Sequence, residues 1–287
     1  MKCIVCGSLQ FKKIPLIHEV SRYTHKAYPL FKCVECGLVR PNPLPYDEKT
    51  KLSIYDEPEN IKFYHQKKNK IDRKSYDYNY YFKHFKPFLN FVKKYKINGK
   101  GLDVGCGAGH LMILLSKLGI KSEGIDITQK LIKSMKKEGY AVYCGELNSK
   151  VLKNKKYDLI TANQVLEHII DPEFLVKDIN GLLKKEGYVI LAVPYVYGLI
   201  PNILRTKWYG LGYGQHLNFF SKKSLKILFE RNGFEIKEFK VLSVDYAHPK
   251  FPRFLNIFSE IIMSILIYFG LGDNLFVVAR KMKEVKK

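Results

Sequence analysis

Between residues 100 and 193, short apolar runs alternate with stretches whose apolar positions recur every three or four residues. GLDVG leads into HLMILLSKLG, KSEGIDI into TQKLIKSMKKEG, and YAVYCG precedes YDLITA; DPEFLVKDINGLLKKEG then runs into GYVILAVPY. The short runs read as buried strands and the amphipathic stretches as helices. Their alternation predicts a parallel, doubly wound α/β sheet. The last of these helices is well signed, with Asp171 as N-cap, Pro172 at the first position, and Leu175, Ile179, Leu182 and Leu183 on one face.

The flanks follow a looser grammar. Ser221 caps SKKSLKILFERNG, and FEIKEFKVLSV and NLFVVARK read as the last strands. Upstream, Tyr78, Tyr81, Phe82, Phe85, Phe88, Val92 and Tyr95 mark one face of a helix, expected to break or kink near Pro87. The chain therefore divides into a cysteine-bearing module at 1–45 that leaves through PNPLP, a helical lead-in or lid at 46–98, and the α/β domain at 99–287. Residues 254–271, FLNIFSEIIMSILIYFGL, are long enough to span a bilayer. Arg253, Asn256, Glu260 and Ser264 nonetheless draw a polar stripe along them, which fits a helix lying in the membrane interface or a buried cap between the last two strands.

With 287 residues, 46% of them apolar, the chain can bury a full core. Its net charge of +22 attracts phosphate groups, whether on nucleic acid, a nucleotide-activated substrate or anionic lipid, and the spread of lysines equally suits a solvated surface. MKCIVCGSLQFKK has no secretory pattern, so the expected compartment is the cytoplasm, with 254–271 as the means of attachment to the inner membrane face. Disulfides are not expected in that reducing compartment. The pairs Cys3/Cys6 and Cys33/Cys36 instead match a four-thiolate structural zinc site, with Gly7 and Gly37 where the chain folds around the metal.

The motif DVGCGAG, residues 103–109, follows the first strand of the α/β region and opens a helix. Its glycines let the backbone turn sharply and let a ligand approach the main chain. Asp126, at the end of the next strand, is placed to accept the hydroxyls of a ribose, so the pair points to a nucleoside cofactor. With EGIDIT, YDLITANQVLEHIIDP and LLKKEGYVILAVPY, these residues resemble class I S-adenosylmethionine-dependent methyltransferases. The resemblance implies a Rossmann-like seven-stranded sheet with its last strand antiparallel. It places the cofactor over Asp103, Gly105, Cys106, Gly107 and Gly109, with Asp126 and Ile127 at the ribose, Glu146 by the adenine, and Asn163 and Gln164 at the fourth strand.

Two features bear on the acceptor. NQVLEH is neither the box of amino-methylating nucleic-acid enzymes nor a cysteine nucleophile, which disfavours base methylation of those kinds. Glu167, His168 and GQHLNFFSKKSL resemble the group that includes ubiquinone-biosynthesis O-methyltransferases and sugar methyltransferases. His216 is the expected general base and His168 the second choice, since an imidazole can take a hydroxyl proton near neutrality; the competing role for both is to fix a loop. The front module resembles that of methyltransferases in sugar-nucleotide and surface-polysaccharide pathways, implying a small-molecule or glycan hydroxyl as acceptor. Two alternatives stand beside it. One is an RNA methyltransferase using the eleven Lys or Arg and eleven Phe or Tyr of residues 61–96, and the other is a catalytically silent cofactor-binding module.

Overall fold

The computed structural model describes residues 1–21, 25–47, 76–242 and 271–285. A front sheet of three antiparallel strands comprises β1 (Phe11–Val20), β2 (Ala27–Cys33) and β3 (Val39–Pro41). The main body alternates β4 (Lys100–Val104), α2 (His110–Ser116), β5 (Lys121–Asp126), α3 (Gln129–Lys137), β6 (Val142–Cys144) and β7 (Tyr157–Asn163). It continues with α4 (Pro172–Leu182), β8 (Leu183–Pro194), α5 (Leu199–Leu204), α6 (Lys222–Arg231), β9 (Phe234–Leu242) and β10 (Asn274–Lys281). Helix α1 (Tyr76–Lys94) precedes them.

The seven main strands lie in the order β6-β5-β4-β7-β8-β10-β9, and β10 is antiparallel to both of its neighbours. This is the expected Rossmann-like methyltransferase sheet. Strands β4, β7 and β8 are apolar along most of their length because helices cover both sheet faces. On one face Phe85, Phe88, Leu89 and Val92 of α1 pack with Leu111, Leu114 and Leu115 of α2 over Leu159, Ile190 and Val278. On the other, Val176 and Ile179 of α4 and Leu225, Leu228 and Phe229 of α6 share a core with Cys3, Val5, Cys33, Cys36 and Leu38 of the front module. The module is thus packed into the domain rather than tethered to it.

Three expectations change. Helix α1 passes through Pro87 without a break, because buried aromatic residues on both sides anchor it across the lost backbone hydrogen bond. Phe82 lies off the buried face and is 37% exposed. Leu183 is not on the helix at all: it turns to φ −77, ψ 143 and opens β8, leaving Val176 and Ile179 as the fully buried pair of α4. The caps follow the reading, with Asp171 accepting from the Glu173 amide at 3.0 Å and Ser221 forming a capping box with Ser224. The interfacial or cap helix proposed for 254–271 lies outside the described residues up to 270; among those described, no helix is long and apolar enough to cross a membrane.

Candidate functional site

A cleft of about 980 Å³ opens at the carboxyl ends of β4 and β7, where the strand order reverses. Such a switch point leaves a crevice because the helices that follow the two strands depart to opposite faces. One end of the cleft is built from contiguous sequence. Gly105 has a φ of +66, and a Cβ there would meet Val165 Cγ2 at 2.6 Å, so only glycine lets the loop pass. Asp126 then fastens the turn: one carboxylate oxygen accepts from the Gly107 amide at 2.9 Å and the other from the Thr128 amide at 2.8 Å. Each oxygen keeps a further lone pair for a ligand.

Asp103 is buried at the base of this loop and accepts from the Thr161 hydroxyl at 2.7 Å. Burial pushes its carboxyl up to about 7 despite that hydrogen bond, and the nearby Asp126 adds to the rise. Ile127 and the exposed Glu146 line the same end, as do Gly107 and the buried Cys106. Asn163 closes β7, and Gln164 follows in the left-handed region at φ 55, its Nε2 donating to Asn274 Oδ1 at 2.9 Å. An ordered non-glycine residue there marks local strain at the mouth of the cleft.

The other end is assembled from distant segments. His168 sits on a single helical turn, Leu166–His168, after β7, and His216 lies in the loop before α6. Their ring centroids are 4.6 Å apart, edge to face. His168 Nδ1 faces the Gln215 carbonyl at 2.9 Å and His216 Nδ1 faces the Gly210 carbonyl at 2.8 Å. Since a carbonyl only accepts, both Nδ1 atoms carry a proton, and in a neutral ring that leaves Nε2 with the lone pair. Burial lowers His216 to about 4, so it is neutral at pH 7.

Glu167 turns away from the cleft. Its side chain is 0% exposed, 3.9 Å from His168 Nε2 and 4.0 Å from His216 Nε2, with no hydrogen bond to either carboxylate oxygen. Burial pushes its carboxyl up to about 8, so it holds a proton at neutrality. Glu167 is therefore buried beside the Nε2 edges of both histidines and does not line the cleft as they do. Tyr81, Phe85, Phe174, Trp208 and Tyr209 supply the aromatic walls, and Asp273 accepts from the Tyr209 hydroxyl at 2.6 Å. Of these, Tyr81 and Phe85 were marked by the helix period of the lead-in segment, whereas Phe174, Trp208 and Tyr209 were passed over.

The four front cysteines converge, with Sγ distances of 3.5 Å for Cys3 to Cys36 and 3.5 Å for Cys6 to Cys33, and all four sulfurs lie within 4.8 Å of one another. A tetrahedron with metal–sulfur bonds of about 2.3 Å has edges of about 3.8 Å, so the set fits zinc with no position left open. None of the four is in a disulfide. Gly37, at a φ of +74, closes the second turn against the Tyr197 and Ser221 side chains of the main domain.

The strand order and the glycine loop at its switch point define a class I methyltransferase fold. Residues 76–238 match the family described as "Methyltransferase domain". The chain belongs to that methyltransferase-domain family, and it is an S-adenosylmethionine-dependent methyltransferase. It is 29% identical over 168 residues to a ubiquinone biosynthesis O-methyltransferase of Pelagibacter ubique, covering 52% of this chain and 70% of that one. A Coxiella burnetii protein of the same name is 29% identical over 122 residues, and the match spans 35% of this chain and about half, 52%, of that relative. Among solved structures, magnesium protoporphyrin IX methyltransferase from Synechocystis PCC 6803, with bound S-adenosylhomocysteine, superimposes with a TM-score of 0.55 at 16% identity, covering 82% of this chain and 100% of that one.

Proposed function

We propose that the enzyme methylates a hydroxyl on a small cyclic acceptor, a sugar-type or ring hydroxyl, in the half of the cleft walled by Trp208, Tyr209 and the two histidines. The carrying observation is that both imidazoles line the same cleft as the glycine loop, each Nδ1–H spent on a main-chain carbonyl, and that burial keeps His216 neutral. A cleft of about 980 Å³ is at the upper end of the ~300–1,000 Å³ common for ligand sites, which suits cofactor and acceptor together. The O-methyltransferase names of the relatives agree in reaction type.

Asp126 would receive the ribose hydroxyls, Glu146 would lie near the adenine, and Asp103 would face the methionine ammonium. Bound S-adenosylmethionine would supply an electrophilic methyl group with a neutral thioether as leaving group. His216 Nε2, with His168 beside it, would take the proton of the acceptor hydroxyl. Most of the rate then comes from holding oxygen, carbon and sulfur in line, with the base adding to it. Zinc on the four thiolates would cross-link the front module and take no part in the chemistry.

RNA is the weaker reading. Phe88 and Phe91 of the aromatic segment are buried against the sheet and do not line the cleft, so they cannot serve as stacking platforms for bases. Incubation with methyl-labelled cofactor against sugar nucleotides, phenolic rings and bulk RNA tests the reading. Label in a hydroxyl-bearing small molecule is expected, and label confined to RNA overturns it. Label in none of the three pools would leave a silent module, and calorimetric titration with S-adenosylhomocysteine would then tell whether it still holds the cofactor.

A further inference from the structure

The segment that leaves the front sheet runs beneath the histidine loops and grips both of them. Tyr46 is 7% exposed, and its hydroxyl lies 2.8 Å from the Gln215 carbonyl and 3.1 Å from the His168 carbonyl. Arg40 is 9% exposed and forks across the same pair of loops, Nη2 donating to the Ile170 carbonyl at 3.1 Å and Nε to the Leu217 carbonyl at 3.4 Å. Neither side chain lines the cleft. We propose that Tyr46 and Arg40 are positioning residues of the transfer reaction, a clasp that holds the His168 loop against the His216 loop at a fixed spacing. This rests on the reading of the two histidines as the groups that face the acceptor.

Three features carry the inference. First, the Gln215 carbonyl is shared: it accepts the His168 Nδ1 proton at 2.9 Å and also faces the Tyr46 hydroxyl. Fixing that one carbonyl fixes the His168 tautomer and ring direction, because the ring must keep its donor nitrogen toward it. Second, the remaining bonds seen between the loops run to carbonyls: from the Leu217 and Asn218 amides to that of Glu167, at 2.8 and 3.1 Å, and from Asn218 Nδ2 to those of Ile169 at 2.6 Å and Glu167 at 3.5 Å. Loops free of regular structure need such outside ties to hold a geometry. Third, the clasp uses a buried guanidinium on carbonyls, where the Asp171 carboxylate favours its charged form without forming an ion pair with it. Burying that charge is unfavourable and lowers its proton affinity, so an apolar residue would serve packing alone at less cost. Only the rigid fork of arginine spans two carbonyls on two loops.

The clasp also explains where the front module is attached. The main-chain bridge between Val39 and Phe219, at 3.0 and 2.9 Å, docks β3 one turn of chain beyond His216. Ser221 donates to the Cys36 carbonyl and Tyr197 to the Gly37 carbonyl beside it. The module thus presses on the acceptor end and leaves the glycine loop untouched.

Tyr46→Phe and Arg40→Lys test this with three readouts on the full chain: kcat and KM for the acceptor, the dissociation constant for S-adenosylhomocysteine, and imidazole nitrogen–proton correlation spectra of His168 and His216. For Tyr46→Phe the expected result is a fall in kcat of about tenfold, of the order a sub-ångström misplacement produces. Cofactor-product affinity should stay within twofold, and the His168 ring signals should move toward a mixture of tautomers. Arg40→Lys, which keeps the charge and loses the fork, should lower kcat in the same way and serves if the first variant fails to fold. A kcat within twofold of the parent, or His168 ring signals that do not move, overturns the clasp. If the parent enzyme itself transfers methyl to no hydroxyl, the reading under the previous heading fails, and the ring signals still decide the clasp by themselves.

Discussion

The two ends of the cleft are built on opposite plans. The glycine-loop end is built mainly from one stretch of chain, residues 103–128: Gly107 and Thr128 donate to Asp126, the loop follows directly from β4, and the Thr161 hydroxyl adds a tie to Asp103. The histidine end draws on the front module, the turn after β7, the Trp208 loop and the loop before α6, joined by hydrogen bonds that span up to 185 residues. The difference is one of division of labour. A cofactor common to many enzymes can be held by a compact motif, while the acceptor end is free to recruit distant parts.

The largest separation of the two ends should come from stripping metal from the four cysteines. Structural thiolate sites contribute folding energy directly, and this one shares its core with α6. Chelation under mild denaturant, followed by return to native buffer without metal, is expected to abolish transfer while S-adenosylhomocysteine still binds. Metal analysis and calorimetry together check this, and loss of cofactor-product binding to the same extent as transfer would erase the proposed independence of the ends.

Next in size is His216→Asn. A positioned base contributes on the order of 100-fold or more to proton transfer, so kcat should fall by about that factor with S-adenosylhomocysteine affinity unchanged. Because burial sets the imidazole at about 4, the neutral, proton-accepting form persists well below pH 6.5. The acid limb of kcat for the parent enzyme should therefore lie closer to pH 4 than to 6.5 and vanish in the variant. At the opposite end, Asp126→Ala removes the acceptor for two loop amides and for the proposed ribose hydroxyls. A loss of about 2 kcal/mol, roughly 30-fold in S-adenosylhomocysteine affinity, is expected by calorimetry.

The same contrast governs what could be read from the sequence. Strand and helix periods, the glycine turn and Asp126 are local signals, so the fold class and one half of the cleft stood out at once. The histidines were visible only through their surroundings in the motif; that they share a 4.6 Å contact could not be read from positions 48 residues apart. Arg40 and Tyr46 left no signal, because a residue that donates to main-chain carbonyls places no demand on the partner's side chain. The expected break at Pro87 did not occur for a related reason: local propensity was weighed without the aromatic packing that overrides it.

The smallest effect tests the glycine-loop end by pH alone. Asp103 has its carboxyl raised by burial to about 7 in the free enzyme, so it is largely protonated at pH 6 and ionised at pH 8. In the free protein this opposes stability as pH rises, because ionising a buried carboxyl is unfavourable. A cofactor whose ammonium meets Asp103 selects the ionised form, so the sign reverses on binding and affinity should increase with pH. For a single group at about 7, the dissociation constant of S-adenosylhomocysteine should fall about tenfold from pH 6 to pH 8. Asp103→Asn keeps an oxygen for the Thr161 hydroxyl and should flatten the profile while lowering affinity at pH 8. Calorimetry in buffers of different ionisation enthalpy adds a direct count, since the parent should release a proton on binding near pH 6 and the variant should not. An unchanged profile in the variant would remove Asp103 from the cofactor's ammonium and leave Asp126 as the acid that ties the glycine loop to its ligand.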